Sequence, residues 1–295
     1  MLLDVRDLAV HFNTHRGIVK AVDGVNLTLR KGGSLGIVGE SGSGKTQTTR
    51  AIIRVLPATG RTVRGEVFWQ GRDLLRMPAG DVRALRGSKM FVVPQDPMTS
   101  LNPVYNLGNQ VGEPLVAHRK YSWSRAKEEA ARFLSLVRIP MGEKRIHQYP
   151  HEFSGGMRQR SLIAMGLTCD PELIIADEPT TALDVTVQSQ ILELLGDLQQ
   201  RTGSALILVT HDLALVARMC ENIAVMYGGR VVEQGPTRDI FKNPVHPYTE
   251  ALLQSLPIPG DTRDRLYSIE GQPPDPLNWT SGCRFAPRCR YARPE

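Results

Sequence analysis

The sequence has no apolar run near the roughly 18–20 residues that a bilayer-spanning helix needs; its longest are of the kind Leu206-Ile207-Leu208-Val209. If a membrane is involved, the chain works beside it and does not cross it. The start, Met1-Leu2-Leu3-Asp4, shows no charged region leading into an apolar stretch and a cleavage site, so no export signal is expected. Long runs of like charge are missing too. The net charge of +6 comes from scattered basic residues, which carries little weight as a sign of nucleic acid or anionic lipid. Cysteine is scarce, four in 295 residues. Cys169 and Cys220 lie in apolar-rich segments and read as small buried hydrophobes. Cys283 and Cys289 sit close together in a Pro/Arg/Gly-rich tail. No internal repeat is visible. With 41% apolar and 22% charged residues, the composition excludes a disordered chain.

What is present is patterned. Leu3, Val5, Leu8, Val10 and Phe12 alternate with polar residues, and Val25–Leu29 follows, which predicts half-buried antiparallel strands joined by a loop over Asn13–Val19. Leu35-Gly36-Ile37-Val38 is an apolar strand running into a glycine-rich loop, and Thr46–Leu56 reads as a helix stopped by Pro57. Further strands are expected at Val63–Trp69 and Met90–Val93. Between Pro97 and Phe153 the pattern turns helical, with Ser124 as N-cap of a helix that carries Ala130, Leu134 and Val137 and ends before Pro140. From Gly156 onward helix and strand alternate, through Leu173–Ala176, Val187–Leu198 and Ala205–Thr210. A hairpin turned at Gly228-Gly229 closes the series. Such alternation implies a parallel sheet covered by helices. Beyond Asn243 the chain is proline-rich and loses periodicity.

Gly39-Glu40-Ser41-Gly42-Ser43-Gly44-Lys45-Thr46 has the spacing G-x-x-x-x-G-K-[ST]. Its glycines let successive N–H groups converge on phosphate oxygens, and the following helix points its positive end there. Lys45 reaches the β- and γ-phosphates, the Thr46 hydroxyl ligates Mg²⁺, and Thr48 is grouped with the same nucleotide-binding set. Leu173-Ile174-Ile175-Ala176-Asp177-Glu178 is an apolar strand ending in two acids that point differently. Asp177 is placed to hold the Mg²⁺ shell and Glu178 to serve as general base for an attacking water. Paired acids at a strand end are often only a loop start; the phosphate loop upstream decides for chemistry.

Ser154-Gly155-Gly156-Met157-Arg158-Gln159-Arg160 offers a second set of exposed N–H groups at a helix start. One nucleotide does not need two phosphate cradles in one chain, but two copies arranged head to tail do. This segment resembles the signature motif of ABC ATPases, with Phe153 and Met157 replacing the commoner Leu and Gln, as in the peptide-importer branch. The resemblance implies a RecA-like P-loop core with an antiparallel β-subdomain, an inserted helical subdomain and an irregular C-terminal extension. It also implies a nucleotide-sandwiching dimer in which Ser154, Gly155, Gly156 and Met157 act on the partner's ATP. Gln95 resembles the Q-loop glutamine that touches Mg²⁺ and water. Thr181-Ala182-Leu183-Asp184 resembles the D-loop, with Asp184 at the dimer interface, and His211 resembles the switch histidine at the γ-phosphate. Phe12 resembles the aromatic that stacks on adenine, with a core strand residue as the equal alternative.

Pro94–Pro103 and Asn243–Leu253 resemble peptide/nickel importers, which makes the chain similar to the ATP-hydrolysing subunit of a di- or oligopeptide importer. Nickel, glutathione and oligosaccharide importers share these features. The expected domains are an ATPase over 1–242, with the helical part inserted at about 97–160, and an extension over 243–295 that is incomplete at its C-terminus. Cys283 and Cys289 resemble the start of a cysteine motif that ligates a 4Fe–4S cluster in some members, and the cluster is expected in a full-length parent that continues with more cysteines; two inert thiols are the alternative. The implied partners are a second ATPase subunit (copy or paralogue), two transmembrane permease subunits and an extracytoplasmic substrate-binding protein. The implied location is the cytoplasmic face of the membrane, held peripherally. A soluble ABC ATPase acting on nucleic acid would show a long coiled coil or a second cassette. Neither is in the sequence, so no direct nucleic-acid partner is expected.

Overall fold

The structure is a computed structural model that describes residues 1–181, 183–256, 267–279 and 282–293. The chain opens with β1 (Leu3–Thr14), β2 (Gly17–Leu29), β3 (Ser34–Val38) and α1 (Lys45–Ile52), then β4 (Gly60–Trp69) and β5 (Arg72–Asp73). A largely helical stretch follows: α2 (Ala79–Leu85), β6 (Met90–Val93), α3 (Pro97–Ser100), α4 (Leu107–Arg119), α5 (Trp123–Leu136), α6 (Gly142–Arg145) and α7 (Gly155–Leu167). The last part alternates through β7 (Leu173–Asp177), α8 (Val185–Thr202), β8 (Ala205–Thr210), α9 (Leu213–Met219), β9 (Asn222–Tyr227) and β10 (Arg230–Pro236). It ends in α10 (Thr237–Lys242) and α11 (Pro247–Gln254). Two compact units result, one made of Met1–Met77 with Leu208–Glu295, the other of Pro78–Ile207.

In the first unit, β2-β1-β4-β5 form an antiparallel sheet. The alternation read along β1 places Leu3, Val5, Leu8 and Val10 in the core, each at most 1% exposed. The loop expected over Asn13–Val19 is instead a tight hairpin: Thr14 pairs with Gly17, and the Thr14 hydroxyl donates to Gly17 O at 2.7 Å. Behind this sheet β3 runs parallel to β9, and β9 pairs antiparallel with β10 through the Gly228-Gly229 turn. All of β3 is buried, and Ile223–Tyr227 of β9 likewise, as a short apolar strand in a two-sided layer requires.

Helix α1 stops at Ile52, four residues before the end expected from Pro57. Arg54 takes a left-handed conformation (φ 57), Val55 N–H returns to Arg50 O at 2.9 Å and Arg54 N–H to Ala51 O at 3.1 Å. This is a Schellman closure with arginine where glycine is usual. The Arg54 guanidinium makes it tolerable by donating to Leu74 O and Met77 O, at 2.9 and 2.6 Å. The proline-rich extension also holds a true helix, α11, whose Tyr248 is completely buried.

In the second unit, β6 and β7 pair in parallel from Met90–Leu173 to Val93–Ala176. Helices α4, α5 and α7 pack around Leu107, Val111, Ala130, Leu134 and Leu162, all at most 1% exposed. The N-cap of α5 is Ser122, not Ser124: the Ser122 hydroxyl accepts Arg125 N–H at 3.4 Å. Helix α5 ends at Leu136, where Arg138 turns left-handed (φ 63), so Pro140 is not the stop. Gln110, 8% exposed, staples the segment before α4 by accepting Asn102 N–H (2.8 Å) and donating to Asn102 O and Tyr105 O (2.9 and 2.8 Å).

Candidate functional site

The first unit carries the phosphate loop. Gly39, Gly42 and Gly44 have φ of 149°, 80° and 101°, values that bring N–H groups to one side of the chain and that side-chain-bearing residues avoid. The approach is also close: a Cβ on Gly39 would strike Met226 O, and one on Gly44 would strike Ala21 O. Gly44 then caps α1, so the loop runs directly into a helix N-terminus. Lys45 is only 5% exposed, and its ammonium donates to Gly39 O (2.7 Å) and Glu40 O (3.0 Å), which keeps the charge over the loop. Ser43 Oγ is buried and has no hydrogen-bond partner among the described residues. A cradle of N–H groups, a buried cation and an unmatched hydroxyl fit the phosphates of a nucleotide. Thr46 follows Lys45 in the first turn of α1. Thr48 spends its hydroxyl on Gly44 O at 3.0 Å and so braces the loop from within. Ser41 is exposed beside it.

Phe12 lies mid-strand, opposite Val19 on β2 and Gly60 on β4. A Cβ on Gly60 would fall 2.5 Å from its ring, so Phe12 packs closely against that glycine, and it stays half-exposed. His211, also in the first unit, is exposed just after β8, and Asp212 beyond it caps α9 by accepting Ala214 N–H at 2.8 Å.

The second unit carries the carboxylates. Asp177 ends β7 and is 7% exposed. Glu178 departs from strand geometry with φ 46, which turns the two acids apart. Its Oε2 accepts from Gln95 Nε2 at 3.0 Å and from Thr181 Oγ1 at 3.1 Å. Both donors fall on one oxygen, which orients the carboxylate. Asp96, next to Gln95, starts α3: it accepts Met98 N–H (2.7 Å) and the Thr99 hydroxyl (2.8 Å), and these bonds, Thr99 first, hold its carboxyl below the usual range.

Ser154 caps α7, with its hydroxyl 3.4 Å from Met157 N–H, and Gly155 and Gly156 form the first turn. A Cβ on Gly156 would stand 2.6 Å from Val187 Cγ1, so α7 and α8 approach closely at this point. Asp184 caps α8, accepting Val187 N–H at 2.9 Å. Leu183 and Val187 therefore lie against the signature glycines; Ala182 falls outside the described residues.

Cys169 and Cys220 are buried, and burial pushes the Cys220 thiol up to about 12, as inert core thiols require. Cys283 is exposed and Cys289 half-exposed. The 4Fe–4S expectation finds no support among the described residues. A cluster of that kind needs four thiolates, and among the described residues no group of three or more His, Cys, Asp or Glu could hold a metal ion.

The sequence reading missed the residues of the extension that reach the phosphate loop. Arg288 pairs with Glu40 at 2.7 Å, and the Tyr248 hydroxyl accepts Glu40 N–H at 2.8 Å. Nothing in either local pattern signals a partner 248 or 208 residues away.

Residues 22–181 match the family described as ABC transporter, and residues 232–295 match the family described as oligopeptide/dipeptide transporter, C-terminal region. The chain is 50% identical over 293 residues to the oligopeptide transport ATP-binding protein OppD of Bacillus subtilis, covering 99% of this chain and 82% of that one. It is 47% identical to the dipeptide transport ATP-binding protein DppD of the same organism, covering 98% and 86%. A probable peptide ABC transporter ATP-binding protein of Sinorhizobium fredii is 50% identical, covering 99% and 88%. Among solved structures, the ATP-binding cassette MJ0796 in a dimeric post-hydrolysis state bound to ADP and Pi superposes with a TM-score of 0.71 at 26% identity, covering 80% of this chain and 99% of that one.

Proposed function

This chain belongs to the ABC transporter family, in the branch of ATP-binding subunits that carry the oligopeptide/dipeptide C-terminal region, and we propose that it hydrolyses Mg²⁺-ATP to drive import of di- and oligopeptides. The observation that carries the ATPase reading is the phosphate loop, with its buried Lys45 and unmatched Ser43 hydroxyl. The peptide reading rests on identity of about half to peptide-transport subunits, extending through the C-terminal region.

The loop N–H groups of Gly39 to Thr46 and the Lys45 ammonium bind the triphosphate. Thr46, Asp177 and Gln95 would hold a Mg²⁺ ion, which would supply charge neutralisation for phosphoryl transfer. Glu178 takes the proton of the attacking water, oriented by the Gln95 and Thr181 donors on Oε2. His211 contacts the γ-phosphate, and Phe12 offers its half-exposed ring to adenine. The start of α7, capped by Ser154, gives its N–H groups to the nucleotide of a second ATPase subunit, with Asp184 at the shared interface. The similarity to the MJ0796 cassette, which is dimeric with ADP and Pi bound, supports pairing with a second ATPase subunit.

Among the described residues no helix is long and apolar enough to cross a membrane. Two permease subunits hold the chain at the cytoplasmic face, and an extracytoplasmic binding protein delivers peptide, a reading supported by the identity to peptide-transport ATP-binding proteins. The test is Glu178→Gln in the purified transporter. It retains ATP binding and loses turnover by about 10²-fold or more, the usual share of a general base. Near-normal turnover removes Glu178 from the role.

A further inference from the structure

The extension holds the phosphate loop at both ends. At the first, Arg288 forms a two-pronged pair with Glu40, Nη1 to Oε2 at 2.7 Å and Nη2 to Oε1 at 3.1 Å, with the arginine side chain only 5% exposed. The same guanidinium donates to Glu270 O (2.9 Å), Ile269 O (3.3 Å) and the Tyr227 hydroxyl (3.3 Å), so it is fixed on all sides. Tyr248 accepts the Glu40 N–H at 2.8 Å. Glu40 is thus gripped through its amide and its carboxylate, and its carbonyl in turn receives the Lys45 ammonium. At the second end, Arg284 donates to Gly228 O and pairs with Asp23 at 2.6 Å, while Gly229 N–H donates to Ser43 O at 2.9 Å. Phe285 locks the two ends together, its ring 5.2 Å from Tyr227 and 5.3 Å from Tyr248.

We propose that Arg288, Tyr248 and Arg284 are positioning residues for the phosphate loop, through which the extension sets the affinity for ATP. A loop with glycine at 39, 42 and 44 loses much conformational freedom when phosphate binds. Fixing Glu40 and Ser43 beforehand removes part of that cost. The pinning acts equally on bound substrate and transition state, so its loss raises KM and spares kcat. The inference rests on the ATP reading above.

The experiment uses the full chain in its transporter complex, with Mg²⁺-ATP as substrate and hydrogen exchange of the 39–45 peptide as a second readout. Arg288→Met raises KM about tenfold, since an interaction of roughly 1.4 kcal/mol is withdrawn from binding, with kcat within about twofold. Tyr248→Phe keeps the buried ring, loses one acceptor, and raises KM about threefold. Glu40→Gln combined with Arg288→Met is no worse than Arg288→Met alone, because both act through one pair. Exchange of the loop amides speeds up in both single variants. Unchanged KM in Arg288→Met and Tyr248→Phe, additive effects in the double variant, or a fall of kcat with KM unmoved overturns the proposal. If Arg288→Met does not accumulate, Tyr248→Phe carries the decision alone. A wild-type complex that fails to bind Mg²⁺-ATP refutes the ATP reading instead; loop exchange unaltered by Tyr248→Phe refutes the positioning claim whatever the nucleotide.

Discussion

Replacing Asp23 by leucine removes the carboxylate at the centre of three arginines. Asp23 Oδ2 accepts from Arg284 at 2.6 Å and from Arg230 at 2.8 Å, and Arg64 approaches Oδ1 at 3.6 Å. The Arg230 and Arg64 side chains are half-exposed, so their pairs contribute little. Arg284 differs, at 5% exposure: without Asp23 its charge keeps, among the described residues, only Gly228 O and the Trp279 ring, 4.1 Å away. Stranding a buried charge costs about 3–5 kcal/mol. The remaining carbonyl and ring place Asp23→Leu near the lower end, about 3 kcal/mol. At about 2–3 °C per kcal/mol for a chain of this size, Tm falls by about 6–9 °C. Asp23→Leu with Arg284→Met recovers most of the loss, because no charge is then left stranded. The pH dependence has a definite sign. Burial pushes the Asp23 carboxyl up, but the Arg230 hydrogen bond and the charges of Arg284, Arg230 and Arg64 outweigh it and hold it below the usual range. Its stabilisation is therefore complete above the ordinary carboxylate pKa of about 3.9 and is lost as pH falls through the lower folded value. Thermal melts of wild type and variant should keep a constant gap from about pH 7 to pH 5. A gap equivalent to less than about 1 kcal/mol at pH 7, or a double variant as unstable as the single one, refutes the reasoning.

Ser154→Ala should impair hydrolysis at the partner's nucleotide, so mixing it with Glu178→Gln subunits changes activity in a way neither variant predicts alone. Losses that stay confined to the altered chain contradict action in trans. His246 Nδ1 accepts Tyr248 N–H at 3.1 Å at the start of α11, and burial holds its pKa below the usual value against the pull of Glu233. Above about pH 6.5 the ring is neutral folded and unfolded; below it the unfolded chain takes the proton first, so stability falls with acid. Wild-type Tm should drop more between pH 7.5 and 5.5 than that of His246→Asn, which keeps a capping acceptor; parallel slopes argue against this account. Gly156→Ala sets a methyl 2.6 Å from Val187 Cγ1 and should lower stability by about 1–3 kcal/mol, where calorimetry showing no loss means α7 and α8 can part freely.

The phosphate loop, the acids of β7 and the start of α7 were legible because each is local. A strand, a turn and a helix N-terminus within a dozen residues contain their own physical reason. Helix ends were less legible where the cap broke the residue rule, as with Arg54 in a glycine's place. Between Ser122 and Ser124 only the hydroxyl's actual acceptance of Arg125 N–H decides. The grip on Glu40 was not legible at all. Arg288 is one arginine in a tail rich in them, and its significance comes from packing against residues 248 positions away. The two tail cysteines drew attention by spacing, while the neighbouring arginines and Phe285 hold the segment in place.

The central claim is that ATP hydrolysis by this chain is coupled to peptide import. The direct measurement is the ATPase rate of the detergent-solubilised complex recovered with the full-length chain, with and without a peptide-loaded binding protein. The account predicts that the permease subunits co-purify and that loaded binding protein stimulates hydrolysis. Hydrolysis with no membrane partner recovered, and with no response to peptide, contradicts it.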